Sequence, residues 1–133
     1  MTIKHPRRRL LLAAAGLPMT SLSGLLPSSS LAQSNWPSKP VRIVVPFPAA
    51  GTTDILARAM APELQRAFGQ PFVVENKPGA GGNVGSADVA KSPNDGHHLL
   101  MGTVGTHSIN ASLYPKLPYD PIKDFIPVTL VAG

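Results

Sequence analysis

The residues whose types and spacing could do chemistry fall in three polar, glycine-containing loops. The clearest is Lys77-Pro78-Gly79-Ala80-Gly81-Gly82-Asn83-Val84-Gly85, which follows the apolar run Phe72-Val73-Val74-Glu75-Asn76. This is the pattern of a strand that ends in a glycine-rich loop opening onto a helix, where bare backbone N–H groups and a helix N-terminus can hold an anion. An upstream segment repeats the arrangement: Val41-Arg42-Ile43-Val44-Val45, then Pro46-Phe47-Pro48-Ala49-Ala50-Gly51-Thr52-Thr53-Asp54, then a helical pattern. The third loop is Thr103-Val104-Gly105-Thr106-His107. Glycines let several N–H groups converge without side-chain obstruction, and Thr52, Thr53, Asn83, Thr103 and Thr106 add neutral donors. A site built this way captures a small anion and can release it. Few fixed cations lie in the loops. Lys77 could add attraction, or could be an ordinary solvated lysine.

Other chemistries fit less well. Gly79-Ala80-Gly81 begins like a dinucleotide fingerprint, but Val84 stands where G-x-G-x-x-G needs its last glycine, and no Gly-Lys-Ser/Thr follows to make a phosphate loop. His97 and His98 are adjacent in a strand, so they point to opposite faces and cannot easily grip one metal ion. No metal and no cofactor is expected. Ser108, His107 and Asp54 include the residue types of a hydrolytic triad, yet no G-x-S-x-G elbow positions a nucleophile. Asp54 is either a ligand contact or a helix cap, and His107 is a better candidate for touching a ligand than either neighbour in the histidine pair. Trp36, Tyr114 and Tyr119 read as packing residues.

The elements that must position these loops can be read from the hydrophobic pattern. Val41 to Val45 is nearly all β-branched and predicts a strand covered on both faces. From Asp54, the residues Ile55, Leu56, Ala59, Met60, Leu64 and Phe68 recur at three- and four-residue spacing, which predicts a helix with one buried stripe, stopped by Gly69. Pro62 inside that pattern is expected to kink or restart the helix. Phe72 to Glu75 forms a second strand and Val84 to Lys91 a short helix. His97 to Met101 forms a third strand, and Ser108 to Leu113 another short helix. Tyr114 to Asp124 holds three prolines and is expected to run irregularly. A last strand is expected over Val128 to Ala132. Alternation of strand and helix predicts an α/β fold with a mostly parallel sheet flanked by helices, whose ligands bind outside the carboxyl ends of the strands. All three loops lie there.

The formal charge of +5 on 133 residues would normally suggest nucleic acid or an acidic membrane as partner. The charge is unevenly placed, however. Lys4, Arg7, Arg8 and Arg9 precede every acidic residue, and from Gln33 onward eight basic residues face seven acidic ones. The first 32 residues read as an export signal: a basic start, a moderately apolar stretch from Leu10 to Leu26 and a Ser30-Leu31-Ala32 cleavage site. Gly16, Pro18, Thr20, Ser21, Ser23 and Gly24 interrupt that stretch, so it does not make a spanning helix of about 20 apolar residues. Arg7-Arg8-Arg9-Leu10-Leu11 is compatible with twin-arginine export as well as with the ordinary secretory route. A mitochondrial leader fits the basic, acid-free start but not the cleavage site. The expected organisation is therefore residues 1–32 as signal and 33–133 as one exported α/β unit, without nucleic-acid partners or stable membrane insertion. With no cysteine, disulfides, zinc–thiolate sites and thiol nucleophiles are excluded.

The ordered motifs Trp36-Pro37-Ser38-Lys39-Pro40-Val41, Val45-Pro46-Phe47-Pro48, Gly51-x-x-Asp54, Gly69-Gln70-Pro71, Val74-Glu75-Asn76-Lys77-Pro78-Gly79-Ala80-Gly81-Gly82-Asn83, Asp95-Gly96 and Leu113-Tyr114-Pro115-Lys116-Leu117-Pro118-Tyr119-Asp120-Pro121 closely resemble the Bug family. These are periplasmic solute-binding proteins of tripartite tricarboxylate transporters. The resemblance implies a periplasmic-binding-protein type II-like lobe, with the second lobe missing from this sequence, because family members are two-lobed clamps. The apolar finish at Gly133 likewise suggests truncation, with the hinge strands beginning near Val128 to Ala132. The resemblance further implies a non-enzyme that binds a small carboxylated solute and delivers it to membrane permease subunits or a sensor protein. Ligand contacts are implied at Phe47, Ala49, Ala50, Gly51, Thr53 and Asp54, at Gly79, Ala80, Gly81, Gly82 and Asn83, and at Thr103, Gly105, Thr106 and His107. Two departures stand out: Ala50 replaces a usual glycine, and His97-His98 stands where Tyr-Thr-like pairs are common. An exported α/β hydrolase or transferase fragment, or a non-binding structural remnant, are the alternatives from other classes.

Overall fold

The computed structural model describes residues 35–133, so the expected export signal lies outside the described residues. Three parallel strands form the sheet: β1 (Val41–Val45), β2 (Phe72–Asn76) and β3 (His98–Leu100), in the order β2-β1-β3. Val41 pairs with Phe72 and runs in register to Val45 opposite Asn76, while Arg42 to Val44 pair with His98 to Leu100. Being central, β1 is covered on both faces, which is why its sequence is β-branched at every position but Arg42 rather than an alternation. Val41, Ile43 and Val45 face helix α1 (Thr52–Phe68) and join Ala57, Ala61, Phe72 and Met101 in the core. Fully burying each such valine contributes about 1.5–3 kcal/mol. Val44, also fully buried, lies on the opposite face, towards helix α2 (Asn83–Ala90).

Helix α1 begins at Thr52, two residues before the expected start, and ends at Gly69, whose φ of 73° supplies the left-handed stop. Pro62 neither breaks nor restarts it. Its ring sits on the exposed side, so the Arg58 carbonyl that loses its N–H partner can take water instead. A single 3-10 turn (Ala80–Gly82) precedes α2. After β3, a π-helical turn (Gly105–Ile109) continues into α3 (Asn110–Leu113), so helical structure begins before Ser108.

The chain then runs irregularly over the surface, as its prolines predict. The strand expected at Val128 to Ala132 does not form. Ile126, Val128 and Leu130 are more than four-fifths exposed, and a strand without a hydrogen-bonded neighbour has nothing to hold it. Among the described residues, no helix is long and apolar enough to cross a membrane.

Candidate functional site

Because the three strands are parallel, their carboxyl ends and the loops that follow lie at one edge of the sheet. Gly82 marks where they meet. A Cβ there would come within 2.7 Å of Thr106 Cγ2, 3.4 Å of Phe47 Cζ and 3.5 Å of Pro46 Cβ, so the three loops touch one another around a position that only glycine can fill. The second loop is also conformationally demanding. Gly79, Ala80, Gly81 and Gly82 have φ of 139°, 48°, 64° and 94°. The Gly-Ala-Gly-Gly composition is thus required by backbone geometry as well as by access, and Ala80 bears strain of about 1–2 kcal/mol. Ala50 in the first loop, with φ of 66°, is strained in the same way.

The first loop is held by charge. Asp54, almost fully buried in the first turn of α1, accepts the Ala50 N–H on Oδ2 at 2.8 Å and the Arg58 Nε–H at 3.0 Å from both oxygens. Asn76, the last residue of β2, donates its amide to Asp54 Oδ1 at 2.9 Å and to the Phe47 carbonyl at 3.2 Å. Its own oxygen accepts from Arg58 at 2.9 Å. The hydrogen bonds from Arg58, Ala50 and Asn76 hold the Asp54 carboxyl down at a pKa of about 2. Asp54 is therefore not the N-cap, which is Gly51, and both of its oxygens accept hydrogen bonds from within the fold.

The second and third loops are held by neutral groups. The Asn110 amide donates to the Gly81 carbonyl at 2.9 Å and to Asn83 Oδ1 at 2.7 Å. The Tyr119 hydroxyl lies 2.7 Å from the Thr106 carbonyl and 3.1 Å from Asn83 Oδ1. Thr106 Oγ1 accepts the Thr103 N–H at 3.0 Å and lies 2.9 Å from His107 Nδ1. Asn83, Thr106, Asn110 and Tyr119 are all buried. Burial beside Phe125, whose ring centre is 4.9 Å away, pushes the His107 pKa below the ordinary histidine value, so its ring is neutral near pH 7.

The candidate residues thus divide. The side chains of Asp54, Asn83, Thr106 and His107 are engaged inside the protein, Gly82 is buried, and Phe47, Thr53, Thr103 and Gly105 are half-buried. Ala49, Ala50, Gly51, Gly79, Ala80 and Gly81 are exposed along the edge. Among the described residues, no acceptor faces the N–H groups of Gly51, Thr52 and Thr53 or those of Gly79, Ala80 and Gly81. These groups occupy the start of α1 and the approach to α2, where the helix dipole is positive and orphan donors are expected. Lys77 is partly exposed but not free: it pairs with Asp88 at 2.8 Å, beside the Arg42 pairs with Asp88 and Glu75.

His97 is buried and accepts at Nε2 from the Ser38 N–H, and no metal-binding group of three ligands occurs among the described residues. Sequence reasoning did not assign the polar roles of Arg58, Asn76, Asn110 and Tyr119. The position of Asn76, at a strand end directly before the glycine loop, was the signal available for it. A separate open groove of about 740 Å³ lies between α1 and β2, lined by Arg58, Pro62, Gln65, Arg66, Phe72 and Val74. None of its lining residues belongs to the three strand-end loops, whose unpartnered N–H groups make them the better candidate.

The model of the tripartite tricarboxylate transporter family receptor matches residues 56–133. Protein BugT of Bordetella pertussis is 38% identical over 91% of this chain and 36% of its own length. Among solved structures, MatC (Rpa3494) from Rhodopseudomonas palustris with bound malate is 45% identical, with a TM-score of 0.68, over 71% of this chain and 32% of that one. R. palustris Rpa4515 with adipate is also 45% identical, with a TM-score of 0.62, over 65% of this chain and 29% of that one. The chain spans about a third of the length of these relatives. Its parallel sheet flanked by helices is a partial lobe of the periplasmic-binding-protein type, and the chain belongs to the tripartite tricarboxylate transporter receptor family, as its Bug-like motifs imply.

Proposed function

We propose that this chain supplies the amino-terminal part of a periplasmic receptor that captures a small carboxylated solute and hands it to the permease subunits of a tripartite tricarboxylate-type transporter or to a sensor. The observation that carries the reading is the pairing of two rows of open backbone donors, Gly51 to Thr53 and Gly79 to Gly81, at one edge of the sheet. Malate and adipate, the molecules bound in the two related structures, are both dicarboxylates, which fits capture of a carboxylate by neutral donors. Neutral donors offer attraction without the strong fixed charge that would slow release. Closure on the solute needs a second lobe, so one lobe supplies part of the contacts and part of the affinity.

The test is a titration of the isotopically labelled chain with mono-, di- and tricarboxylates at millimolar concentration, read from backbone amide resonances. Saturable shifts are expected at Gly51 to Thr53 and Gly79 to Gly81, with none from matched amides or alcohols. Shifts confined to other surfaces would overturn the assignment. Gly51→Val is the substitution to pair with it. Gly51 has a φ of −77° in the extended region, and an added Cβ would meet only Pro48 O, at 3.4 Å, so a side chain enters there without backbone strain. Gly81 is a poorer choice, because its φ of 64° and a Tyr114 hydroxyl 3.1 Å from an added Cβ would disturb the fold itself.

A further inference from the structure

Asn76 makes three hydrogen bonds with its side chain, and all three go to the first loop or to the helix that follows it. Its two amide protons reach the Phe47 carbonyl at 3.2 Å, near the start of the loop, and Asp54 Oδ1 at 2.9 Å, just past its end. Its oxygen accepts from Arg58 Nη2 at 2.9 Å. An asparagine amide has two donors and an oxygen with two lone pairs, so both donors and one of the two acceptor positions are used. In the chain, Asn76 is the residue before Lys77, where the second loop begins, and the Lys77 N–H is itself fixed by the Val45 carbonyl at 2.8 Å. One side chain thus spans the two loops that carry the open donors.

A second feature needs explaining. Asp54 is ionised, and its Oδ2 sits 2.8 Å from the Ala50 nitrogen, one residue from the Gly51 donor. A bare carboxylate there would repel an anion and cancel the positive end of α1. Arg58 removes the conflict by placing its guanidinium on both carboxylate oxygens, which leaves the pair neutral while its remaining bond holds Asn76.

We propose that Asn76 is the positioning residue that sets the spacing of the two donor rows, anchored by a charge-neutral Asp54–Arg58 pair. The proposal rests on the carboxylate-binding reading above for its functional consequence, but the mechanical part stands without a ligand. Asn76 touches no solute; it acts through the Ala50–Gly51 peptide and the start of the second loop. The same logic makes Arg58 a guard against repulsion rather than an attractor, because its charge is already spent on Asp54.

The experiment compares the full chain with Asn76→Ala and Arg58→Met, reading amide hydrogen exchange at Ala50 and carboxylate affinity from the same labelled samples. Arg58 is 53% exposed at its side chain, so Arg58→Met keeps the question answerable if Asn76→Ala fails to fold. The Ala50 amide is expected to exchange at least tenfold faster in both variants, and affinity for a dicarboxylate to fall about tenfold. Faster exchange with unchanged affinity would reduce the cluster to a structural brace and overturn the positioning role. Unchanged exchange would overturn the mechanical link itself. If the unmodified chain binds no carboxylate while Ala50 still loses protection in the variants, the receptor reading fails and the link between the loops survives.

Discussion

Two braces hold the same sheet edge, and they are built from opposite materials. The first loop is tied down by an ionised carboxylate, a guanidinium and one amide, on a helix whose Arg58 reaches solvent. The second and third loops are tied to each other by two asparagines, a tyrosine and a threonine, all uncharged and buried. Charge suits the first position because Arg58 stays hydrated while it neutralises the buried Asp54, so only one member of the pair is desolvated. Neutral groups suit the second because Asn83 and Asn110 lie out of water, where an ion would need a partner of its own. The comparison implies that the neutral brace carries more of the stability, and that the ionic brace yields where its own carboxylate takes up a proton.

The sharpest way to break the comparison is to strike where the braces meet. Gly82→Ala forces a Cβ to within 2.7 Å of Thr106 Cγ2 at a φ of 94°, adding an overpacked contact to a strained backbone. A loss of about 3–5 kcal/mol is expected in urea unfolding. Asn110→Leu comes next. It keeps the branching and heavy-atom count of the side chain but leaves the Gly81 carbonyl and Asn83 Oδ1 without their donor, and about 3 kcal/mol should be lost. Asp54→Asn should cost less than Asn110→Leu in the same assay, because Arg58 can return to water. A larger loss for Asp54→Asn would reverse the ranking of the two braces.

The two braces were unequally legible in the sequence. Strand β1, the three loops and their common edge follow from a β-branched run, glycine punctuation and the parallel order that alternation imposes. Those are patterns of backbone and burial, and sequence expresses them directly. Asp54 was visible as a residue near a helix start, but its choice between cap, ligand contact and ion pair depended on Asn76, which lies 22 residues away. Asn110 and Tyr119 were harder still. A short helix with a polar residue looks solvent-facing, and nothing local says that Asn110 points back to Gly81 across 29 residues. The strand expected at Val128 to Ala132 shows the opposite limit: β-branched composition supplied the propensity, but no neighbouring strand supplied the pairing.

Acid should separate the braces without mutation. Asp54 has a folded pKa of about 2, below the unfolded value near 3.9, so its contribution is fully present above that unfolded value and is lost as pH falls towards 2. His107 acts in a higher window. Its folded pKa is depressed by burial, so the neutral ring is favoured in the fold and stability is present above the unfolded value near 6.5 and lost as pH falls below it. Hydrogen exchange followed from pH 7 downward should therefore show Thr103 and Thr106 loosening first and Ala50 later, below about pH 4. Asp54→Asn should abolish the later step and leave the earlier one. Simultaneous loosening of both loops would mean that they are not independently held.

The smallest expected effect sharpens the contrast most finely. Ala50 and Ala80 occupy the left-handed region in the first and second loops, at φ of 66° and 48°. Replacing either with glycine relieves about 1–2 kcal/mol of backbone strain but adds about 0.5–1 kcal/mol of unfolded-state entropy, so each should stabilise by roughly 0.5–1 kcal/mol. The two gains need not be equal. Ala50 is pinned through its own N–H to Asp54, whereas no acceptor faces the Ala80 N–H among the described residues. Added freedom at residue 50 loosens a bond that the ionic brace depends on. Thermal unfolding should accordingly show a smaller rise for Ala50→Gly than for Ala80→Gly, and a double variant Ala50→Gly/Asp54→Asn should recover the difference, since the bond that glycine weakens is weaker once the carboxylate charge is gone.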